Sequence, residues 1–152
     1  MMQIREGGLD EPEVVALLRL HMEGMLANSP KDSCHFLDLS GLRAPEVTFW
    51  SVWDGDALLG MGALKQIEPD HGEIKSMRTA PDQLRGGVGA ALVSHILKVA
   101  RERAYRRLSL ETGSGPSFEA AHALYRKFGF TECAPFGEYK EDPFSRFMTR
   151  VV

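Results

Sequence analysis

Cysteine is scarce in this chain: the 152 residues include two, Cys34 and Cys133. Their spacing fits neither a zinc site nor a redox pair, so reduced thiols are the expectation. Long apolar runs are also missing, and nothing reads as a bilayer span. The N-terminal MMQIREGGLDEPE carries acidic residues early and has no apolar stretch of the signal-peptide kind. There is no excess of positive charge. Eighteen Lys and Arg against 21 Asp and Glu give a formal net charge of -3, which disfavours nucleic acid as an obligate partner. A local basic pocket for a phosphorylated cofactor stays open. Repeats, low-complexity tracts and interdomain linkers are absent. With 43% hydrophobic and 26% charged residues the chain has the composition of a folded domain. The expectation is one domain over residues 1–152, working in the cytoplasm without membrane or nucleic-acid partners.

The patterning alternates between two periods. Residues 3–6 suit a short strand that Gly7 and Gly8 break. Asp10, Pro12 and Glu13 form a capping-box start, and Val14, Leu17, Leu18, His21 and Met25 continue at helical spacing. His21 reads as a half-buried helix residue. Residues 28–45 are mixed, with a short helix expected over 36–41. Strands follow over 47–53, 57–66 and 73–79, separated by the turns Asp54-Gly55-Asp56 and Pro69-Asp70-His71-Gly72. Together they read as an antiparallel meander. After a loop over 80–87, Val88, Leu92, Ile96 and Val99 mark one face of a long helix. Its end carries Arg101, Arg103, Arg106 and Arg107, read as a solvated face that suits the helix dipole. Residues 108–111 make a strand expected to run parallel to the one ending at Thr79, because a helix connects them. A second helix is expected over 118–128 with Gly129 as its left-handed stop. Strands over 131–136 and 144–151 close the chain. The order gives an α+β sandwich around a mixed sheet.

Three glycines, Gly86, Gly87 and Gly89, lie between a strand and a helix N-terminus. A helix start offers unpaired backbone N–H groups and partial positive charge, and glycine lets a phosphate come close. The turn therefore reads as a pyrophosphate cradle or as a flexible glycine helix start. A P-loop is excluded, because no Lys-Ser or Lys-Thr pair follows. A dinucleotide fingerprint is excluded too, because its third glycine would fall on Leu92.

Residues 72–130 resemble the core of the GNAT superfamily of acetyl-CoA-dependent N-acetyltransferases. Its glycine motif, R/Q-x-x-G-x-G/A, is met by Gly87 and Gly89, although Leu84 stands where Arg or Gln is usual and Arg85 comes one residue late. A second motif, A-x-x-L-Y-x-x-x-G-F, is filled by Ala121, Leu124, Tyr125, Gly129 and Phe130, while Phe118 replaces an Asn common in the family. The runs GEIKSMRTAP, LSLETGS and FSRFMTR resemble a bacterial YsnE-like branch of N-acetyltransferases.

The resemblance implies a mixed, mostly antiparallel sheet with helices on both faces. It implies acetyl-CoA as co-substrate, no metal, and an amine of a small molecule or peptide as acceptor; homodimers are common among related proteins. It puts the pantetheine along residues 75–79, with the oxyanion donor a backbone N–H near Met77, and Arg78 and Thr79 beside it. The pyrophosphate would lie on Leu84, Arg85, Gly86, Gly87, Val88, Gly89 and Ala90. Amine attack on a thioester needs a neutral amine, a stabilised oxyanion and a protonated leaving sulfur. Tyr125 is the candidate acid, since an unperturbed tyrosine keeps its proton at neutral pH with a pKa of about 10. Its packing against Phe130 is the alternative reading. Glu73 is the candidate base, with a strand-end surface charge as alternative, and His71 and Glu111 stand in reserve. Trp50, Trp53, Tyr139 and the loop over 137–143 either shape an acceptor pocket or, for the tryptophans, fill the core. A non-catalytic acyl-CoA sensor and a longer-chain acyltransferase are the other functions the sequence leaves open.

Overall fold

The computed structural model describes residues 1–30, 35–84 and 86–152. Cys34 and Arg85 fall outside them. Seven strands form one sheet in the order β1-β2-β3-β4-β5-β7-β6. They are β1 (Gln3–Glu6), β2 (Val47–Asp54), β3 (Ala57–Glu68), β4 (His71–Thr79), β5 (Arg107–Thr112), β6 (Thr131–Cys133) and β7 (Arg146–Val151). All neighbours are antiparallel except β4 and β5, as the intervening helix α3 (Val88–Glu102) requires. β7 lies between β5 and β6, so the chain's last strand closes the sheet from inside its edge.

Helices cover both faces. α3 and α4 (Glu119–Lys127) lie on one, over a core that includes Trp50, Val52, Leu64, Ile74, Leu92, Ile96, Leu108 and Phe130. α1 (Pro12–Asn28) and the single turn α2 (Leu39–Leu42) lie on the other, over Phe49, Trp53, Met61 and Ala63. The period-two alternation of β2 divides its tryptophans between these cores. Trp50 and Trp53 are 2% and 4% exposed, so both are packing residues. His95 is structural as well, edge-on to Trp50 at 5.3 Å.

Local chemistry differs from the expected capping at two points. The N-cap of α1 is Glu11, without a side-chain bond, because Asp10 pairs with Arg43 at 2.6 Å instead. The short helix expected over 36–41 starts later, at Leu39, where the Asp38 carboxylate accepts from the Gly41 N–H at 2.8 Å. β6 is also shorter than the strand expected over 131–136. The chain leaves the sheet after Cys133 and returns at Arg146.

One irregularity shapes the centre of the sheet. Between Met61↔Arg78 and Ala63↔Lys75 the β3–β4 register slips, so Ser76 and Met77 together face Gly62. This is a β-bulge, and it holds Ser76 at φ 58, an uncommon value for a residue with a Cβ. Gly62 makes the bulge possible: a Cβ there would overlap the Met77 sulfur. We expect Gly62→Ala to lower unfolding free energy by about 1–3 kcal/mol, the usual range for overpacking. Urea denaturation measures it. Met77→Ala in the same chain frees the space and should return part of the loss; a neutral Gly62→Ala would show that the bulge does not depend on this contact.

Candidate active site

β4 and β5 pair from His71↔Arg107 to Ile74↔Leu110 and no further. β4 continues to Thr79, held by β3 through Met61↔Arg78 and Gly60↔Thr79. β5 continues to Thr112, held by β7 through Glu111↔Phe147 and Thr112↔Arg146. Two strands gripped from opposite sides thus part, and a wedge opens in the middle of the sheet. On the side facing β5, the backbone of residues 75–79 has no strand partner. An extended group with amide functions could pair there as an added strand does.

The glycine turn lies at the start of α3. Gly86 N–H closes a tight turn on the Gln83 carbonyl at 3.2 Å, and Gly87 takes the left-handed φ of 82 that glycine adopts without strain. The first helical bond beyond the turn runs from Ala91 N–H to the Gly87 carbonyl at 3.0 Å. The amides of Gly87, Val88, Gly89 and Ala90 therefore precede the ladder, as donors at the positive end of a helix. Their side chains do other work. Val88 is buried at 2% exposure, and a Cβ at Gly89 would lie 3.0 Å from Leu124 Cδ2, so this glycine lets α4 close onto α3. Met77 packs into the same core. Leu84 is 66% exposed beside the turn. Of the residues expected around a cofactor, Arg78 points elsewhere: its guanidinium lies against Gly24 of α1, across the sheet from α3.

Tyr125 lies on α4, 5% exposed, with its ring edge-on to Phe130 at 5.6 Å. The helix stop fixes this pair. Gly129 takes φ 86, and the Phe130 N–H returns to the Tyr125 carbonyl at 3.0 Å. The Tyr125 hydroxyl has no hydrogen-bond partner among the described residues. Burial pushes the phenol up, so it stays protonated.

The carboxylates collect on the α1 face. Glu73 is 4% exposed rather than a surface charge. Its Oε2 accepts from the Tyr139 hydroxyl at 2.5 Å and from Lys75 Nζ at 3.3 Å, while Lys75 also donates to the Tyr139 oxygen at 2.8 Å. Tyr139 belongs to the segment joining β6 to β7. Its ring meets His35, Phe136 and Phe147 with centroids 5.1–5.5 Å away, so the segment straps across the sheet. Glu111 stands one residue past the last β4–β5 pair. Burial raises its pKa to about 7; the Ser145 hydroxyl and Lys75 oppose the rise, and Glu73 and Asp142 add to it. His71 is tied into the sheet, its Nε2 bonded to Ser109 Oγ at 2.7 Å. Between strap and sheet runs a cleft of about 920 Å³ that includes Phe36, Lys65, Glu73, Lys75 and Tyr139.

Sequence reasoning singled out Tyr125, Glu73, the glycine turn and the loop over 137–143. It did not single out the Lys75 side chain, and it kept Glu111 in reserve. The available signal was alternation: once Glu73 faces the cleft, Lys75 does too, and the parallel register puts Ser109 and then Glu111 on the same side.

The fold has counterparts in known proteins. Residues 13–130 match the profile of the Acetyltransferase (GNAT) family. The uncharacterized N-acetyltransferase YsnE of Bacillus subtilis is 52% identical over 149 residues, covering 98% of this chain and 99% of YsnE. A solved Klebsiella pneumoniae structure, assigned provisionally as an acyl-CoA N-acyltransferase, superposes with a TM-score of 0.82 at 28% identity, covering 99% of this chain and 97% of that one. A Bacillus subtilis acetyltransferase solved with CoA shares the fold at a TM-score of 0.73 and 20% identity, covering 100% and 99%.

The strap should depend on one hydroxyl. Tyr139→Phe keeps the ring contacts and removes both polar bonds, leaving Glu73 and Lys75 short of a partner. A hydrogen bond to a charged group contributes about 1.5–3 kcal/mol, and we expect a loss of that size in urea unfolding at neutral pH. In a Glu73→Gln chain the same change should cost less, because the acceptor's charge is gone. Equal losses in the two backgrounds would mean that the Tyr139–Glu73 bond contributes nothing.

Proposed function

This chain belongs to the acetyltransferase (GNAT) family, and from that premise we propose that it transfers an acetyl group from acetyl-CoA to a primary amine of a small molecule or peptide, by direct attack in a ternary complex. Residues 1–152 act as one such domain, in the cytoplasm. The observation that carries the reading is the wedge between β4 and β5, which joins free strand backbone on one side to the glycine start of α3 on the other.

Acetyl-CoA supplies, when bound, an acyl group activated on sulfur. The residues present fit it. Residues 75–79 offer unpaired backbone to the pantetheine amides, and the amides of residues 87–90 offer donors to the pyrophosphate, with Leu84, Arg85 and Gly86 preceding them in sequence. A backbone N–H near Met77, at the bulge, would stabilise the charge that develops on the acyl oxygen. Tyr125 would supply the proton for the leaving sulfur. Its raised phenol pKa suits a dry site, where the proton leaves only as negative charge builds beside it. The amine's proton goes to the carboxylate pair. Glu73 is held by Lys75 and Tyr139 with one oxygen occupied by two donors, and Glu111 has its pKa raised by burial to about 7.

Thiol release from acetyl-CoA, measured over free amines, amino acids and peptide N-termini, tests the reading. Succinyl-CoA and longer donors serve as comparison arms. Binding of acetyl-CoA without release to any amine would leave a sensor instead. Tyr125→Phe keeps the ring on Phe130, so acetyl-CoA affinity should hold while kcat falls by about a hundredfold or more. A kcat within a few-fold of the parent, where chemistry limits turnover, removes Tyr125 from the mechanism.

Glu111 gives a pH prediction. A base works ionised, so kcat/KM should rise with pH through about 7. Glu111→Gln should flatten that rise, and Glu73→Gln should not. The folded-state pKa is raised, so the group's contribution to stability is present below the ordinary carboxylate range and is lost as pH climbs through about 7. Glu111→Gln should therefore unfold at higher temperature than the parent at pH 8, by calorimetry. A parental pH–rate profile in Glu111→Gln, with no stabilisation, would move the base elsewhere.

A further inference from the structure

Arg78 is a cation on the α1 face that no described residue answers. Its side chain is half-buried and makes no hydrogen bond or ion pair with any described residue. Its guanidinium is nonetheless placed. A Cβ on Gly24 would lie 3.2 Å from Nη1, 3.4 Å from Nη2 and 3.7 Å from Cζ, so the group lies over the bare backbone of α1. Gly24 is inside a helix of 17 residues, where glycine costs about 1 kcal/mol relative to alanine. Room for the guanidinium is what that glycine provides.

Unanswered polar atoms lie in the same region. His21 is one turn before Gly24 on the same face of α1, 8% exposed, and its Nδ1 is buried without a partner. Burial, and secondly the charge of Arg78, hold its pKa down at about 4. Ser76, at the bulge two residues before Arg78, also has a buried hydroxyl without a partner. Buried polar groups are nearly always bonded, and a half-buried cation is stable when an anion meets it. A planar guanidinium flanked by neutral donors suits a carboxylate, which it can bind through two parallel bonds.

The position decides which molecule brings that carboxylate. The glycine start of α3 is on the other face, so the phosphates of the co-substrate lie across the sheet. Arg78 shares its face with Glu73, Lys75, Glu111 and the cleft under Tyr139. Along β4 at about 3.3 Å per residue, Lys75 and Arg78 are within about 10 Å of each other. The face thus has an acidic end that suits an ammonium group and a cationic end that suits a carboxylate. The geometry points to an acceptor that carries a carboxylate as well as its amine, an amino acid in the broad sense, with Arg78 over Gly24 as the group that holds the carboxylate. This deepens the acetyl-transfer reading and rests on it.

The test compares free amino acids with the matching amines that lack the carboxylate, in the acetyl-CoA-saturated protein. The parent should prefer the amino acids. Arg78→Met should lower kcat/KM for them by about 10- to 100-fold, the size of a lost charge-assisted bond, and reduce the preference for amino acids over the matched amines by the same factor. Arg78→Lys should recover part. Gly24→Ala should also weaken the amino acids, without loss of stability, because it crowds the guanidinium while improving the helix. Equal effects of Arg78→Met on both series, at saturating acetyl-CoA, would overturn the assignment. If the parent acetylates no amine, the transferase reading fails separately. The site is then read from the His21 ring resonances in the CoA complex: amino acids at saturating concentration should raise the His21 pKa in the parent and not in Arg78→Met, and an unmoved titration overturns the proposal.

Discussion

The separation of β4 from β5 after Ile74↔Leu110 is the constraint on which the rest depends. A continuous sheet would satisfy every backbone group and leave no route through the molecule. Here each strand is gripped on its outer side only, by β3 and by β7, so the inner sides part without unravelling either one. The bulge at Ser76 and Met77 adds to this by turning β4 locally, and Gly62 makes room for it. The single parallel pair matters for the same reason. A helix must connect parallel strands, so α3 begins close to where β4 ends, and its free amides come to the mouth of the wedge.

The sheet then sorts the chemistry by face. On the α3 side, Tyr125 is packed among apolar residues, where a phenol keeps its proton. On the α1 side are two carboxylates, a lysine, an arginine and a tyrosine strap; Glu73, Lys75 and Tyr139 line a cleft of about 920 Å³ there. Glu73 and Glu111 differ in environment rather than in kind. One is answered by Lys75 and Tyr139. The other is answered weakly and titrates near neutrality.

Some of the site was legible because it is written in local rules. The glycines at 86, 87 and 89 announce a helix start with accessible backbone, and Gly129 announces a helix stop that anchors Tyr125 to Phe130. Both needed only near neighbours in sequence. Other expectations failed where distant partners competed. Asp10 had the position of a cap but formed an ion pair with Arg43, which only the fold brings near. The tryptophans read as core or pocket equally well, and strand alternation placed them in two separate cores.

The order of strands and helices, the mixed sheet with one parallel pair, the glycine turn and the Tyr125 motif could all be read from the amino-acid order, because each rests on periodicity or on residues within a few positions. Folding was needed to decide that Glu73 is held, that burial raises the pKa of Glu111, that Lys75 bridges Glu73 to Tyr139, and that Arg78 turns to α1 rather than to the glycine turn. Those outcomes depend on residues 31 to 66 positions apart, from Glu111 with Asp142 to Tyr139 with Glu73. The charge state and direction of a buried polar side chain follow from what the fold sets against it, and no local pattern records that.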